Sequence, residues 1–539
     1  MTQTRVPVLI AGGGSVGLFA ALLLAHHGVE AVVVECRSGP SIHPRATGLG
    51  PRTLEFLREL GLADAVDAVA VDMTAGSLGK ISAVTLASVD PAALPDVAPA
   101  RAGRVADRVS PATIRGTCPQ HRLDSVVLPA ATTRGATIRH STRLLSFEQD
   151  ADGVTAHLDD GATIRADYLI GADGVHSGVR GALGIATTGP GALGSPKMNI
   201  LFRADLRPYT RGRFFAACDI TTPDAPGMFM TVDGATEWIF HTEYRPEDGQ
   251  SADDFTPEHC RALIRAAVGD HELDVEVLSR LPWRARGWVA DSFQQGRVFL
   301  IGDAAHAVPP LGAFGLNTGV ADAHNLAWKL AAVRAGRAGP ALLDSYHAER
   351  RPVALTTMEQ ALLRLKAPRL HWDSSAAAAS ERTAMGMINA PIVQLGYRYD
   401  SAAVVDPQPH LPSTEDIELV LDGAPGSRLP HAWIDMDGRR VSTLDLVRSR
   451  LTLLVGAGSA QWERAATKAA DRLGVPLAVV AIDSGKSWAR QVGLDAGGAV
   501  LVRPDQFIAW RSPAAVEDPT GELITVLDRV LACGGDGRG

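Results

Sequence analysis

Apolar residues run through positions 8–10 and again from 16 to 24, with Ala11-Gly12-Gly13-Gly14 between them. This order predicts a buried strand, a tight turn and a helix. A second strand is expected over 31–35. Together they make a βαβ unit, because parallel strands need a crossover helix and unbroken apolar runs fit a sheet covered on both faces. The same grammar returns at the strand predicted over 298–301 and the helix from about Gly315 into Val333, so one nucleotide site draws on distant sequence.

Elsewhere the pattern changes. Residues 86–106 are rich in Pro and Ala with weak periodicity, and 187–283 carry strand-like runs such as 228–232 and 238–241. These predict a sheet-rich domain inserted into the first. After Tyr399 a run rich in Pro, Asp and Ser is expected to be a linker. Strands near 451–455, 477–482 and 499–502, with helices near 463–473 and 523–531, then predict a small α/β sandwich. The expected division is a nucleotide-binding domain over 1–75, 106–186 and 286–398, a second domain over 76–105 and 187–285, and a third over 410–539.

Composition narrows the function. A chain of 539 residues with 46% hydrophobic and 21% charged residues is that of a folded multidomain protein. A net charge of -8 gives no electrostatic support for nucleic acid or an anionic membrane, and favours a small-molecule partner. Cys36, Cys118, Cys218, Cys260 and Cys533 form no C-x-x-C pair, so neither a zinc site nor a disulfide framework is expected. With no signal peptide and no long apolar window, the expected compartment is the cytoplasm, without membrane insertion. Assembly into a homo-oligomer is left open.

Gly12, Gly14 and Gly17 form G-x-G-x-x-G after a predicted strand, and Glu35 ends the next strand. The first glycine permits the turn, the second admits a pyrophosphate, and the third packs helix on strand. The helix start, including Ser15 and Val16, offers N–H groups to phosphates, and Glu35 can accept ribose hydroxyls. The motif alone does not separate FAD from NAD. Two later turns, Gly171-Ala-Asp173-Gly174 running on to Arg180, and Gly302-Asp303, each follow a predicted strand. A flavin cofactor outreaches one βαβ unit, so a second strand end must meet its ribityl chain.

With these three motifs in this order over more than half of its length, the chain closely resembles the single-component flavoprotein aromatic hydroxylases, the p-hydroxybenzoate hydroxylase-like family. The resemblance implies that Asp303 binds the ribityl chain and that Asp173 and Arg180 serve near the FAD and NAD(P)H phosphates. It also implies that Gln120 helps hold FAD and that Arg45 lies near it. The loop with Pro310 and Gly312 to Phe314, then Gly315, Leu316 and Asn317, resembles the family's flavin-facing helix start, whose N–H groups stabilise charge on a reduced flavin. Pro310, Gly312 and Phe314 are the expected catalytic group. Cys36 replaces the family's usual Arg, with Arg37 as a substitute, and Ala313-Phe314 replaces Gly and a polar residue. His306 and His121 are read as structural.

The C-terminal part resembles the thioredoxin-like appendage of phenol and polyketide hydroxylases, and lacking C-x-x-C it cannot do dithiol chemistry. A second glycine loop at 456–461 fails at Gln461. The implied reaction takes NAD(P)H, FAD and O2, forms a flavin C4a-hydroperoxide and hydroxylates a phenolic or polyketide-type ring. Met228, Phe240, His241 and Tyr244 are expected to meet that ring. Baeyer–Villiger oxygenation on the same scaffold, a non-oxygenating flavin reductase or dehydrogenase, and a flavin-binding scaffold are the rival expectations.

Overall fold

The strand Thr4–Ala11 is apolar on both faces, with Val8, Leu9 and Ile10 wholly buried, and it takes the interior of an eight-stranded sheet. It pairs in parallel with Ala31–Val34 and with Thr163–Gly171, and the latter pairs in parallel with Val298–Leu300. The computed structural model describes residues 4–73, 79–90, 108–210, 215–373, 375–436, 438–457, 459–483 and 487–534. Five helices matter for the site: α1 (Ser15–His26), α2 (Pro51–Glu59), α3 (Gln120–Thr133), α4 (Phe314–Arg334) and α5 (Asp344–Lys366). Helix α1 packs on both α3 and α4, which is why Leu18 to Leu24 are buried all round it.

The second sheet has seven strands, in the order His306–Ala307, Glu276–Ala290, Thr187–Arg203, Glu237–Glu243, Gly227–Thr231, Ala217–Ile220 and Lys80–Ala83. Side chains alternate between its faces. Phe202, Phe229, Trp238 and Phe240 join the helix Pro257–Val268 in one core, while Leu201, Met230 and Ile239 cluster together apart from it. The two long strands pass through register shifts between Thr188 and Gly191 and between Leu193 and Lys197, where Gly and Pro interrupt the pattern. Of the Pro/Ala-rich stretch, residues 91–107 lie outside the described residues.

The third sheet runs Ala478–Ile482, Thr452–Gly456, Ala499–Val502, Ile508–Ser512, the first two parallel and the rest antiparallel. Helices α6 (Ala460–Leu473) and α7 (Pro519–Val530) cover one face. The expected linker departs from prediction: residues 424–431 are buried, with Gly426 N–H donating to the Ile508 carbonyl at 2.8 Å and Tyr399 N–H to that of Gly426 at 2.8 Å. Small and polar residues there serve close backbone packing rather than solvation.

Two fully buried ionic clusters fasten this third unit to the first. Glu349 on α5 accepts from Lys329 on α4 at 2.7 Å and from Arg503 Nη2 at 2.8 Å. Glu55 on α2 accepts from Arg52 at 2.8 Å and from Arg428 Nε at 3.0 Å, and Arg52 reaches Gln506 at 2.6 Å. Among the described residues no helix is long and apolar enough to cross a membrane.

Candidate active site

The glycine loop closes on itself through close contacts that only glycine permits. At φ +108°, Gly12 lies so near Ala172 that a Cβ would stand 2.3 Å from its carbonyl oxygen, and a Cβ on Gly17 would stand 2.0 Å from that of Gly12. Gly14 differs, since a Cβ there would meet no protein atom within 4 Å. Gly14 is also the N-cap of α1, without a side-chain cap, so the first N–H groups of the helix face this open space. Glu35 is fixed beside it, accepting from Gly13 N–H at 2.7 Å and Arg37 N–H at 3.0 Å.

Helix α4 repeats the device. Ala313 is its N-cap in the left-handed region at φ +52°, no side chain caps it, and a Cβ on Gly315 would meet nothing within 4 Å. Two uncapped helix starts thus offer N–H donors and positive dipole ends. They are locked together by Val16 on α1, whose side chain abuts Gly302 and Gly319 so closely that neither could carry a Cβ without a shift.

Asp303 marks the cleft between them. Burial raises its carboxyl, opposed by His306 and Arg45, yet its surface is exposed. A side chain both enclosed and accessible lines a deep cleft. Arg45 has the same dual character: burial lowers its guanidinium, and Arg37, Asp303, Glu35 and Asp124 are its charged neighbours. The segments are pinned by Cys118 N–H to Thr47 carbonyl at 3.0 Å and Gln120 N–H to Ala46 carbonyl at 2.8 Å, which puts Gln120 at the Arg45 loop. The Gly302 turn is held from behind, as Asp322 on α4 accepts from Gly302 N–H at 3.1 Å, from His306 at 2.7 Å and from Arg350 at 2.8 Å. His306 is therefore engaged structurally.

Three expected site residues use their side chains otherwise than expected. Asp173 accepts from Ser177 and from Val179 N–H, and Arg180 donates to the Ala304 carbonyl at 2.9 Å with its guanidinium 4.3 Å from the Trp288 ring centroid, so both brace the two turns. Asn317 is saturated: its Nδ2 donates to Gly48 and Ala313 carbonyls, and its Oδ1 accepts from Gly50 N–H and Thr53 Oγ1, both at 2.7 Å. It can face a cofactor only through its backbone.

Phe314 is a correction. Expected over the cofactor, it is 1% exposed and packs on Ala361 and Val393 beneath Arg364, because the left-handed turn at Ala313 swings it inward. Pro310 is exposed beside it. Phe240 and Tyr244 are corrected too. Phe240 is wholly buried against Phe229, and Tyr244 packs edge-on to Phe255, both on the helix-covered face. Met228 and His241 are direct cross-strand partners on the other face, with Asn199 opposite His241 and the Trp283 ring 5.7 Å away.

Sequence reasoning missed His43, Asn199, Asp124 and Trp283. His43 is buried beside Asn199, with His121, Arg45 and His241 as electrostatic neighbours, so the loop that carries Arg45 into the cleft carries His43 onto the second sheet. Among the described residues no hydrogen-bond partner is found for His241 Nδ1 or Trp283 Nε1, while the side chains of His43 and Asn199 engage each other. Such buried polar atoms are costly unless something bonds them. The signal for His43 was its place two residues before Arg45.

Asp124 on α3 accepts a hydrogen bond from Ser15 at the start of α1. Burial pushes its carboxyl up to about 6, with Ser15 and Arg45 opposing. A carboxyl raised on folding keeps its proton longer in the folded chain, so stability falls as pH rises between roughly 4 and 6. Asp124→Asn is expected to erase that slope and to stabilise the apoprotein at pH 7 by on the order of 2 kcal/mol. Unfolding midpoints at pH 4 to 7 check it, and an unchanged slope would refute it.

The cradle fits FAD: two uncapped helix starts for its phosphates and flavin edge, an acid at the second strand end for ribose, and Asp303 for ribityl hydroxyls. The second glycine loop, beginning at Gly456, does not, since Gly456 is closed off by the carbonyl oxygens of Asp495 and Ala496. Residues 5–361 match the model of an FAD binding domain, and residues 422–533 that of an aromatic-ring hydroxylase C-terminal domain. The chain is 40% identical to the tetracenomycin B2 monooxygenase-dioxygenase of Streptomyces olivaceus over 99% of its length and 100% of the relative's. It is 37% identical to an aklavinone 12-hydroxylase of Streptomyces purpurascens, over 98% of this chain and 100% of that one. A solved aklavinone-11 hydroxylase in ternary complex with FAD and aklavinone superposes with a TM-score of 0.83 at 35% identity, covering 99% and 100% of the two chains. The flavin-dependent monooxygenase PieE, solved with FAD and substrate, gives the same values. The chain belongs to the FAD-dependent aromatic-ring hydroxylases, monooxygenases that use FAD and NAD(P)H.

Proposed function

We propose that this hydroxylase acts on a polycyclic aromatic of the polyketide type, held between the loop 310–315 and the face of the second sheet that bears Met228, Asn199, His241 and Trp283. The carrying observation is the cluster of buried polar atoms at His43, Asn199, His241 and Trp283, next to the thioether of Met228. Such a wall suits a flat ring system with several hydroxyl and carbonyl oxygens. The named activities of the relatives support the same class.

In this reading Gly14, Ser15, Glu35, Arg45, Gln120, Asp303 and the backbone of Gly315 to Asn317 hold FAD. The bound flavin supplies the reducing and oxygen-activating chemistry. The protein's part is to orient the ring and keep water out. His241 receives the phenol: burial, with Lys197 and His43, brings its imidazole down to about 4, so it is neutral at physiological pH and can accept the phenolic proton. The sequence-based division stands as part of the proposal, with 187–285 binding substrate, 410–539 as the thioredoxin-like unit, and a cytoplasmic supply of NAD(P)H.

The experiment is turnover of FAD-loaded protein with NAD(P)H, a panel of aromatic polyketides and labelled O2. One labelled atom should enter a ring hydroxyl, and label in an ester would indicate Baeyer–Villiger chemistry instead. His241→Phe should raise KM about tenfold, the order of one lost hydrogen bond to a buried partner. Because only the neutral imidazole binds, kcat/KM should stay flat from pH 8 down to 5 and fall through about 4. Failure of any aromatic to stimulate NAD(P)H oxidation would overturn the proposal.

A further inference from the structure

The first turn of α4, which the proposed function places at the flavin, is not held by its own domain alone. Asn317 Oδ1 accepts from Gly50 N–H and Thr53 Oγ1 at the start of α2, and Asn317 Nδ2 returns bonds to Ala313 and Gly48. Two residues beyond Thr53, Glu55 is wholly enclosed between Arg52 and Arg428. Arg428 belongs to the C-terminal unit and also donates to the Val109 carbonyl at 2.9 Å. Arg52, in turn, donates to Gln506 and to the Asp505 carbonyl of the same unit.

Helix α2 is nine residues long, too short to hold its position by intrinsic helicity. Its register is therefore set by what grips it, and the charged grip comes from the third unit on one side while the hydroxyl of Thr53 reaches the flavin-facing helix on the other. Removing the first grip frees the second.

We propose that the C-terminal domain sets the placement of the loop 310–317, with Arg428, Glu55 and Thr53 as positioning residues acting through Asn317. The domain thereby takes part in oxygenation without any group of its own at the cleft. The link to oxygenation rests on the function proposed above, whereas the mechanical link does not.

Hydrogen–deuterium exchange of the intact chain tests it. Thr53→Val removes only the hydroxyl, and Arg428→Met removes the grip. Both are expected to speed exchange of amides 318–321, the first hydrogen-bonded ones of α4, by about tenfold, and Thr53→Ser should restore the wild-type rate. In FAD-loaded protein the same two variants should release about threefold more H2O2 per NAD(P)H, since O2 that takes the two electrons of NAD(P)H at a misplaced site leaves as peroxide instead of giving an atom to the ring. Trp462→Phe, inside the C-terminal core, should lower the unfolding midpoint without either effect. Should Arg428→Met fail to fold, Gln506→Asn, which shortens the side chain that Arg52 reaches in the C-terminal unit, takes its place. Unchanged exchange in Thr53→Val, unchanged exchange in the C-terminal variant, or equal acceleration in Trp462→Phe overturns the proposal. Faster exchange in a protein that no aromatic stimulates would leave the link standing and remove the substrate reading proposed above.

Discussion

Gly14→Val is expected to yield a folded protein that cannot retain FAD, and Gly17→Val to yield no folded protein at all. Both glycines belong to one motif, yet their surroundings are opposite. Gly14 has φ −71° and ψ 174°, an extended conformation any residue adopts, and its Cβ would point into space free of protein. The apoprotein loses about 1 kcal/mol for a poorer N-cap. The isopropyl group would occupy the volume in which a pyrophosphate must approach the helix start. At Gly17 the Cβ would sit 2.0 Å from the Gly12 carbonyl oxygen, and the βαβ unit would have to open. Two measurements separate the outcomes: the unfolding midpoint of the apoprotein and the flavin absorbance per chain after reconstitution. Full FAD occupancy in Gly14→Val would show that the phosphates lie elsewhere.

The second large effect is expected at Glu349. Its carboxylate lies at the centre of a dry cluster with Lys329 and Arg503, and also accepts from Asn325 at 2.7 Å and Ser401 at 2.7 Å. Glu349→Ala leaves two buried cations, Lys329 and Arg503, against the single carboxylate of Asp505 and should cost about 3–5 kcal/mol. That corresponds to an unfolding midpoint lower by roughly 10 °C for a domain of this size. Replacing all four charges of the cluster, Lys329, Glu349, Arg503 and Asp505, with apolar residues of similar size should recover most of the loss, since buried ion pairs barely exceed well-packed apolar side chains. Burial alone would raise the Glu349 carboxyl, but Arg503 and Lys329 hold it well below the usual carboxylate range. An acid depressed on folding stabilises the fold above its unfolded value, near 4.3, and the gain is lost as pH falls toward the folded value. Scans from pH 7 to 3 should show the wild-type midpoint dropping below about pH 4 and Glu349→Ala with a shallower acid limb, the rest coming from Glu55 and Asp322, whose carboxyls are also held down by buried cations. A variant midpoint within the error of the wild type would refute the assignment.

The glycine loop, Glu35 and the two aspartate turns were legible as backbone features because each is local and a few residues fix the turn, whereas the bonds that Asp173 and Arg180 make inside it were not. The helix from Phe314 was legible to within a residue of its start for the same reason. The strands Thr187–Arg203 and Glu276–Ala290 were not, since Gly189, Pro190, Gly191, Gly194 and Pro196 erase alternation where the strand bulges, and pairing over 70 or more residues supplies what local preference lacks. Phe240 and His241 show a subtler limit. Alternation says that neighbours face opposite ways, but only the helix Pro257–Val268 decides which way is inward. Phe314 was misassigned because its direction depends on a left-handed alanine, a backbone state that costs a non-glycine residue energy and that sequence does not announce. The buried ionic clusters were invisible, since one unites charges 373 positions apart and the other charges 154 apart.

The turn bearing Asp303 runs on, within four residues, into His306–Ala307, the edge strand that pairs with Glu276–Ala290. The two sheets are therefore not separable cassettes. A chimaera built to borrow another hydroxylase's substrate wall must take the short edge strand with the long ones, and its cut must fall between Ala307 and the prolines at 309 and 310. A graft that ends at residue 290 would join a foreign wall to a native rim, and the mismatch would surface as lost flavin before it surfaced as altered selectivity.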